Sequence, residues 1–197
     1  MRSPEPASRE ELSAADGAEL IRIARASIAH TLATGTELAI DAAAFPPALR
    51  EPRATFVTLR RRDGALCGCI GELEPTRALV ASVADRARAA AFLDPRFPPL
   101  RADELDAIEI QVSVLGRMEP IAARSEAELL AALRPHVDGL FIEDRGRRAT
   151  FLPAVWSSLA DPRDFLRELC RKAGIADDGW PPTLRAARYQ VLELPTS

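Results

Sequence analysis

The residues best suited to chemistry sit in one short run, Cys67-Gly68-Cys69-Ile70-Gly71. A deprotonated thiol is the most nucleophilic of the common side chains at neutral pH. Glycines on both sides of Cys69 leave room for close approach and let backbone N–H groups line a site. Cys69 is therefore the first candidate nucleophile. Its plain alternative is a small core residue on a strand. Cys67 and Cys69 are two positions apart, so strand alternation predicts that both point to one face. Three readings of the pair stay open: a shared metal site, a redox pair, or one functional thiol beside an unrelated one. The first needs about four ligands, and His30 and His136 are remote and not at ligand spacing. The second closes a tight, strained ring. No metal is expected.

A second candidate comes from composition. Of the 26 basic residues, 25 are Arg, and Lys172 is the one Lys. In a chain whose default cation is Arg, that Lys suggests a preference for a primary amine. Its plain alternative is a cation at the C-terminal end of a helix, favoured by the macrodipole. The same composition discounts the clusters Arg60-Arg61-Arg62 and Arg145, Arg147, Arg148 as a nucleic-acid footprint. The net charge is −3, and the single Tyr leaves no aromatics spaced for stacking. Together with 36 Ala, the Arg excess reads as codon bias. No Gly-x-Gly-x-x-Gly, Walker A or His-Glu-x-x-His motif is present, so no cofactor is expected.

These residues need elements to position them. Ser13 is a helix N-cap, and apolar residues recur at helical spacing from Leu20 to Leu32, ending near Thr34-Gly35. Residues 41–52, with three prolines, read as an irregular connection. Ala54–Arg60 and Leu66–Leu73 form a hairpin around Asp63-Gly64. Glu74-Pro75-Thr76 opens a helix that runs to Phe92. A proline-stiffened loop, Asp94–Leu100, leads to the alternating strand Ile108–Leu115. Ser125–Leu133 is a helix with Ser125 and Glu128 spaced as a capping box. Gly139–Glu143 and Arg148–Leu152 form a second hairpin. Helices follow at Pro153–Leu159 and Pro162–Ala173, with Gly174 as terminator, then a final strand, Ala187–Leu194. Paired strands with helices between them predict an α+β fold with an antiparallel sheet. Residues 1–10 read as a disordered tail. The N-terminus lacks an apolar signal region, and no apolar run approaches about 18 residues, so a cytoplasmic chain without a membrane span is expected.

The ordered series Gly68-Cys69-Ile70-Gly71, Asp94-Pro95-Arg96-Phe97-Pro98-Pro99-Leu100, Ile108–Leu115, Val137-Asp138-Gly139-Leu140, Ala149–Pro153 with Val155-Trp156, and Lys172-Ala173-Gly174 resembles the AMMECR domain family. Its prokaryotic members are called AmmeMemoRadiSam system protein A. The resemblance places that domain over residues 11–195. It implies a larger α+β domain built from both chain ends around an antiparallel sheet, a smaller subdomain, and a cleft between them. It also implies partnership with a Memo-type protein and a radical S-adenosylmethionine protein in a modification pathway. Asp94, Arg96 and Glu109 fall inside these motifs. With Gly68 and Gly71 they make up the candidate ligand-binding set, each with a structural role as its alternative. The family's usual Leu-Arg-Gly-Cys-Ile-Gly reads Leu66-Cys67-Gly68-Cys69-Ile70-Gly71 here, so a guanidinium is replaced by a thiol. The expected function is that of a binding or adaptor component, the alternative a thiol-dependent enzyme using Cys69. Ligand and oligomeric state are not legible.

Overall fold

Ser13 sets where the chain first becomes regular. Its hydroxyl accepts from the Asp16 N–H at 3.1 Å, and the Asp16 carboxylate accepts from the Ser13 N–H at 2.9 Å. This reciprocal cap satisfies two orphan donors of the first turn. Helix α1 then runs Ala14–Thr34 and stops at Gly35, whose φ of 73° suits a residue without Cβ. The computed structural model describes residues 12–176 and 180–194. The tail expected over residues 1–10 lies outside the described residues.

Two compact units follow. The first takes the chain through Val114 and adds the segment from Glu193. After α1 come a short helix, α2 (Pro47–Arg50), the strands β1 (Thr55–Arg61) and β2 (Leu66–Gly71), the helix α3 (Leu79–Phe92) and the strand β3 (Ile108–Leu115). The last strand of the chain, β8 (Val191–Leu194), completes a sheet of order β2-β1-β3-β8. β3 alternates as its sequence predicts: Ile108, Ile110, Val112 and Val114 are buried with Val57, Leu59 and the apolar faces of α1 and α3.

The second unit spans Leu115–Leu192. It holds β4 (Glu119–Ile121), α4 (Glu126–Ala132), β5 (Gly139–Asp144), β6 (Arg147–Phe151), α5 (Pro162–Ala173) and β7 (Arg185–Tyr189), in a sheet of order β4-β7-β5-β6. The β5–β6 turn places Arg145 at φ 48° and Gly146 at φ 80°, the left-handed pair that a two-residue hairpin loop requires. The core centres on Trp156, whose ring stacks on Phe165 with centroids 3.7 Å apart and whose Nε1 donates to the Asp138 carbonyl at 2.7 Å. Both sheets are antiparallel and flanked by helices, so the fold is α+β.

Four expectations need correction. The helix after Leu73 starts at Leu79, because Leu79 N–H is bound to the Glu51 carbonyl and Ala78 bridges to Pro52. Residues 153–157 wind as a 3-10 turn, not an α-helix. Ser125 caps α4 as expected, but the Glu128 carboxylate accepts from the Arg124 N–H rather than from Ser125. The single final strand is two, β7 and β8, interrupted at Gln190, and they join different sheets.

Candidate functional site

Cys69 lies on β2, an outer strand of its sheet, opposite Thr58 of β1. Val57 and Leu59 fill the core, so Thr58 and Cys69 occupy the other face. The Thr58 hydroxyl donates to the Cys69 sulfur at 3.3 Å. The backbone N–H and C=O of Cys69 point away from β1, and a loop takes both. Asp94 Oδ2 accepts the N–H at 2.9 Å, and Arg96 Nη2 donates to the C=O at 2.9 Å. An acceptor and a donor thus stand where a neighbouring strand would offer its own.

This clip is itself well built. Asp94 is buried, its side chain 1% exposed, while that of Arg96 is 56% exposed. The guanidinium grips both carboxylate oxygens, Nε to Oδ1 at 2.9 Å and Nη2 to Oδ2 at 2.7 Å. The Arg96 N–H adds a further bond to Oδ1 at 3.1 Å. The Arg96 guanidinium beside Asp94, with the two backbone N–H donors, holds the Asp94 carboxyl well below the usual carboxylate range. The bond to Asp94 holds Arg96 as a cation in return.

The two glycines are explained by packing. A Cβ on Gly68 would stand 2.1 Å from the Ala90 carbonyl oxygen of α3, so glycine lets that helix lie close on β2. A Cβ on Gly71 would meet the Phe56 ring at 2.2 Å.

Cys67 does not share the Cys69 face. The β1–β2 register slips between Leu59 and Arg60, pairing Leu59 with Gly68 and Arg60 with Leu66. Cys67 is the extra residue of this bulge and packs against the apolar cluster. Burial pushes its thiol pKa up, and Arg61 nearby offsets this only in part. Cys67 and Cys69 are both free thiols.

Glu109 lies on β3, opposite Arg60 of β1 and exposed, two residues from Gln111, which stands in the Thr58–Cys69 row. Next along β3, Gln111 Nε2 and Ser113 Oγ both donate to Glu193 of β8, at 2.9 and 2.8 Å. Lys172 belongs to the second unit. Its Nζ donates to the Thr150 carbonyl at 3.0 Å and lies 5.1 Å from the centre of the Phe151 ring. The structure therefore brings Cys69, Asp94 and Arg96 together with Gly68 and Gly71, and sets Lys172 on another unit. His30 is bonded to Thr36, and His136 faces Trp156. Among the described residues, no group of three His, Cys, Asp or Glu could hold a metal ion, and no helix is long and apolar enough to cross a membrane.

Sequence reasoning missed Thr58. The signal was present, since positions 58 and 69 lie symmetrically about Asp63-Gly64, where the hairpin turns.

Comparison with known proteins agrees with this architecture. The AMMECR1 family profile matches residues 21–194. A protein of Methanothermobacter thermautotrophicus is 38% identical over 94% of either chain. One from Thermofilum pendens is 39% identical over 91% of this chain and 89% of its own. The crystal structure of an uncharacterised protein from Pyrococcus horikoshii superimposes with a TM-score of 0.82 at 32% identity, covering 92% of this chain and 95% of that one. The chain belongs to the AMMECR1 family.

Proposed function

We propose that this protein is a binding component that acts with a Memo-type protein and a radical S-adenosylmethionine protein in a modification pathway, through the face of the first unit that carries Cys69. One observation carries the binding reading. The Cys69 sulfur meets a hydroxyl, its carbonyl meets a guanidinium, and the carboxylate that holds its N–H already accepts four hydrogen bonds. Donors of this kind hold acceptor groups of a ligand or partner; they do not take a proton from a nucleophile. The partners themselves are inferred from the family resemblance.

A pull-down tests the reading. The wild-type chain should retain the Memo-type or the radical S-adenosylmethionine protein of its own organism, and Asp94→Asn, which opens the clip, should weaken retention. Failure of the wild type to retain either protein at micromolar concentration would overturn the partnership.

A second reading, a thiol-dependent enzyme, is favoured by the fixed placement of the Cys69 sulfur against Thr58. Cys69→Ser separates the two. Loss of the in-cell phenotype with partner retention intact supports thiol chemistry, and an unchanged phenotype sinks it.

A further inference from the structure

Among the described residues, the two sheets end in four outer strands: β2 and β8, β4 and β6. An outer strand offers its N–H and C=O groups to any other chain, so each needs a device against pairing. β4 has three residues and Pro120, and β8 has four and Glu193. β6 opens with Arg147-Arg148, and Lys172 Nζ takes its Thr150 carbonyl at 3.0 Å. β2 has none of these. It runs Leu66-Cys67-Gly68-Cys69-Ile70-Gly71, six residues without a charge or a proline. Its outward N–H and C=O at Cys69 go instead to Asp94 and Arg96, each at 2.9 Å. In an antiparallel pair both would go to one residue of a neighbouring strand. The loop that takes them cannot itself act as a further edge. Pro95, Pro98 and Pro99 have no N–H, and those of Arg96, Phe97 and Leu100 are bonded to Asp94 Oδ1, to the Asp94 carbonyl and to the Ala91 carbonyl. The sheet therefore stops at this loop.

We propose that the Asp94–Arg96 loop is a guard on β2 that blocks its pairing with the β2 of a second copy of this chain. The edge is self-complementary. Across a two-fold axis beside Cys69, the N–H of each Cys69 donates to the C=O of the other, which replaces the acceptor of Asp94 and the donor of Arg96 one for one. The neighbours Gly68, Ile70 and Gly71 bring no charge to oppose the approach. The guard holds its shape by bonds that do not involve β2, from the Arg96 guanidinium to both Asp94 oxygens. Pairing becomes available only when those two side chains are removed. This role is independent of the partners inferred above.

The test uses the full chain and reads the pairing at one residue. In such a pair the two Cys69 Cα atoms lie about 5.5 Å apart, within reach of a disulfide. Wild type, Arg96→Ala and the double variant Asp94→Ala/Arg96→Ala are oxidised with copper phenanthroline, and disulfide-linked peptides are identified by mass spectrometry. The Cys69–Cys69 link between copies should rise at least about tenfold in the double variant and about threefold in Arg96→Ala, which frees one of the two backbone groups. Alkylation of Cys69 by iodoacetamide, which reads exposure alone, should rise by less than about twofold. Equal linkage in wild type and variants overturns the proposal. So does a rise matched by alkylation, or one shared equally by Cys67 and Cys170, which marks unfolding rather than edge pairing. If the double variant does not fold, Arg96→Ala decides: a protein with the wild-type circular dichroism spectrum that links no more than wild type overturns the guard.

Discussion

At the scale of single residues, Asp94 shows how a motif acid can be needed without touching a ligand. Its carboxylate is buried and fully bonded within the protein, so removing its charge leaves Arg96 and the Cys69 N–H with poorer partners. Asp94→Asn should cost about 3 kcal/mol in urea unfolding, the scale for breaking a buried pair. The pH dependence has a definite sign. The folded carboxyl titrates below its unfolded value, so its contribution is complete above the unfolded pKa of about 4 and is lost as pH falls from there toward the folded value. Wild type should lose stability over that acid range, and Asp94→Asn should show a shallower acid limb. Lys172 gives the contrasting case. Its ammonium serves the Thr150 carbonyl and the Phe151 face, and either could be met by another cation. Lys172→Arg should stay within about 0.5 kcal/mol of wild type, whereas Lys172→Met should lose about 1 kcal/mol. A stable Lys172→Arg protein that fails to complement in cells would mean that the primary amine is itself used.

At the scale of elements, tight approach explains the glycine of β2 and the alanines of α3 together. Ala84, Ala87, Ala90 and Ala91 are buried on that helix, and Gly68 faces the Ala90 carbonyl. Gly68→Ala should destabilise by about 2 kcal/mol in thermal unfolding, since strand or helix must shift to admit the methyl group. Elements with local signals were legible. α1 carries its capping box and its glycine stop, α5 has Asp161 before Pro162 and Gly174 after Ala173, and β3 has its strict alternation. Where distant contacts decide, the sequence was silent. The start of α3 is set by Glu51 and Pro52, and β4 is only three residues long, too short to carry a period. The site divides in the same way. Thr58 opposite Cys69 follows from hairpin symmetry, but the bulge that turns Cys67 inward does not. The bond from Cys69 to Asp94 spans 25 positions and no local pattern announces it. A parallel case is Asp138, fully buried and gripped by Arg134 through Nε and Nη2. Burial resists its ionisation, but the Arg134 bonds outweigh this and its carboxyl is lowered. In both motifs the acid holds backbone in place, Asp94 the N–H of Cys69 and Asp138 the N–H of Arg134.

At the scale of the whole molecule, the first unit is completed by residues that come after the second. Glu193 collects the side chains of Gln111 and Ser113, and Leu194 is buried in the same apolar cluster as α1 and α3. Leu194→Ala should cost the first unit about 2 to 3 kcal/mol, the usual range for a buried leucine. Hydrogen exchange should place the loss of protection in β3 and α1, with β5 and β6 unchanged. Equal loss in both sheets would refute the assignment of Leu194 to the first core. The order of segments also matters on the ribosome. Every strand of the second sheet has been synthesised before β8 emerges, whereas β3 must wait for it with one edge unpaired. The first unit is therefore the later of the two to be finished, although most of it is made first. A nascent chain stalled before Val191 should expose the β3 edge to chaperones.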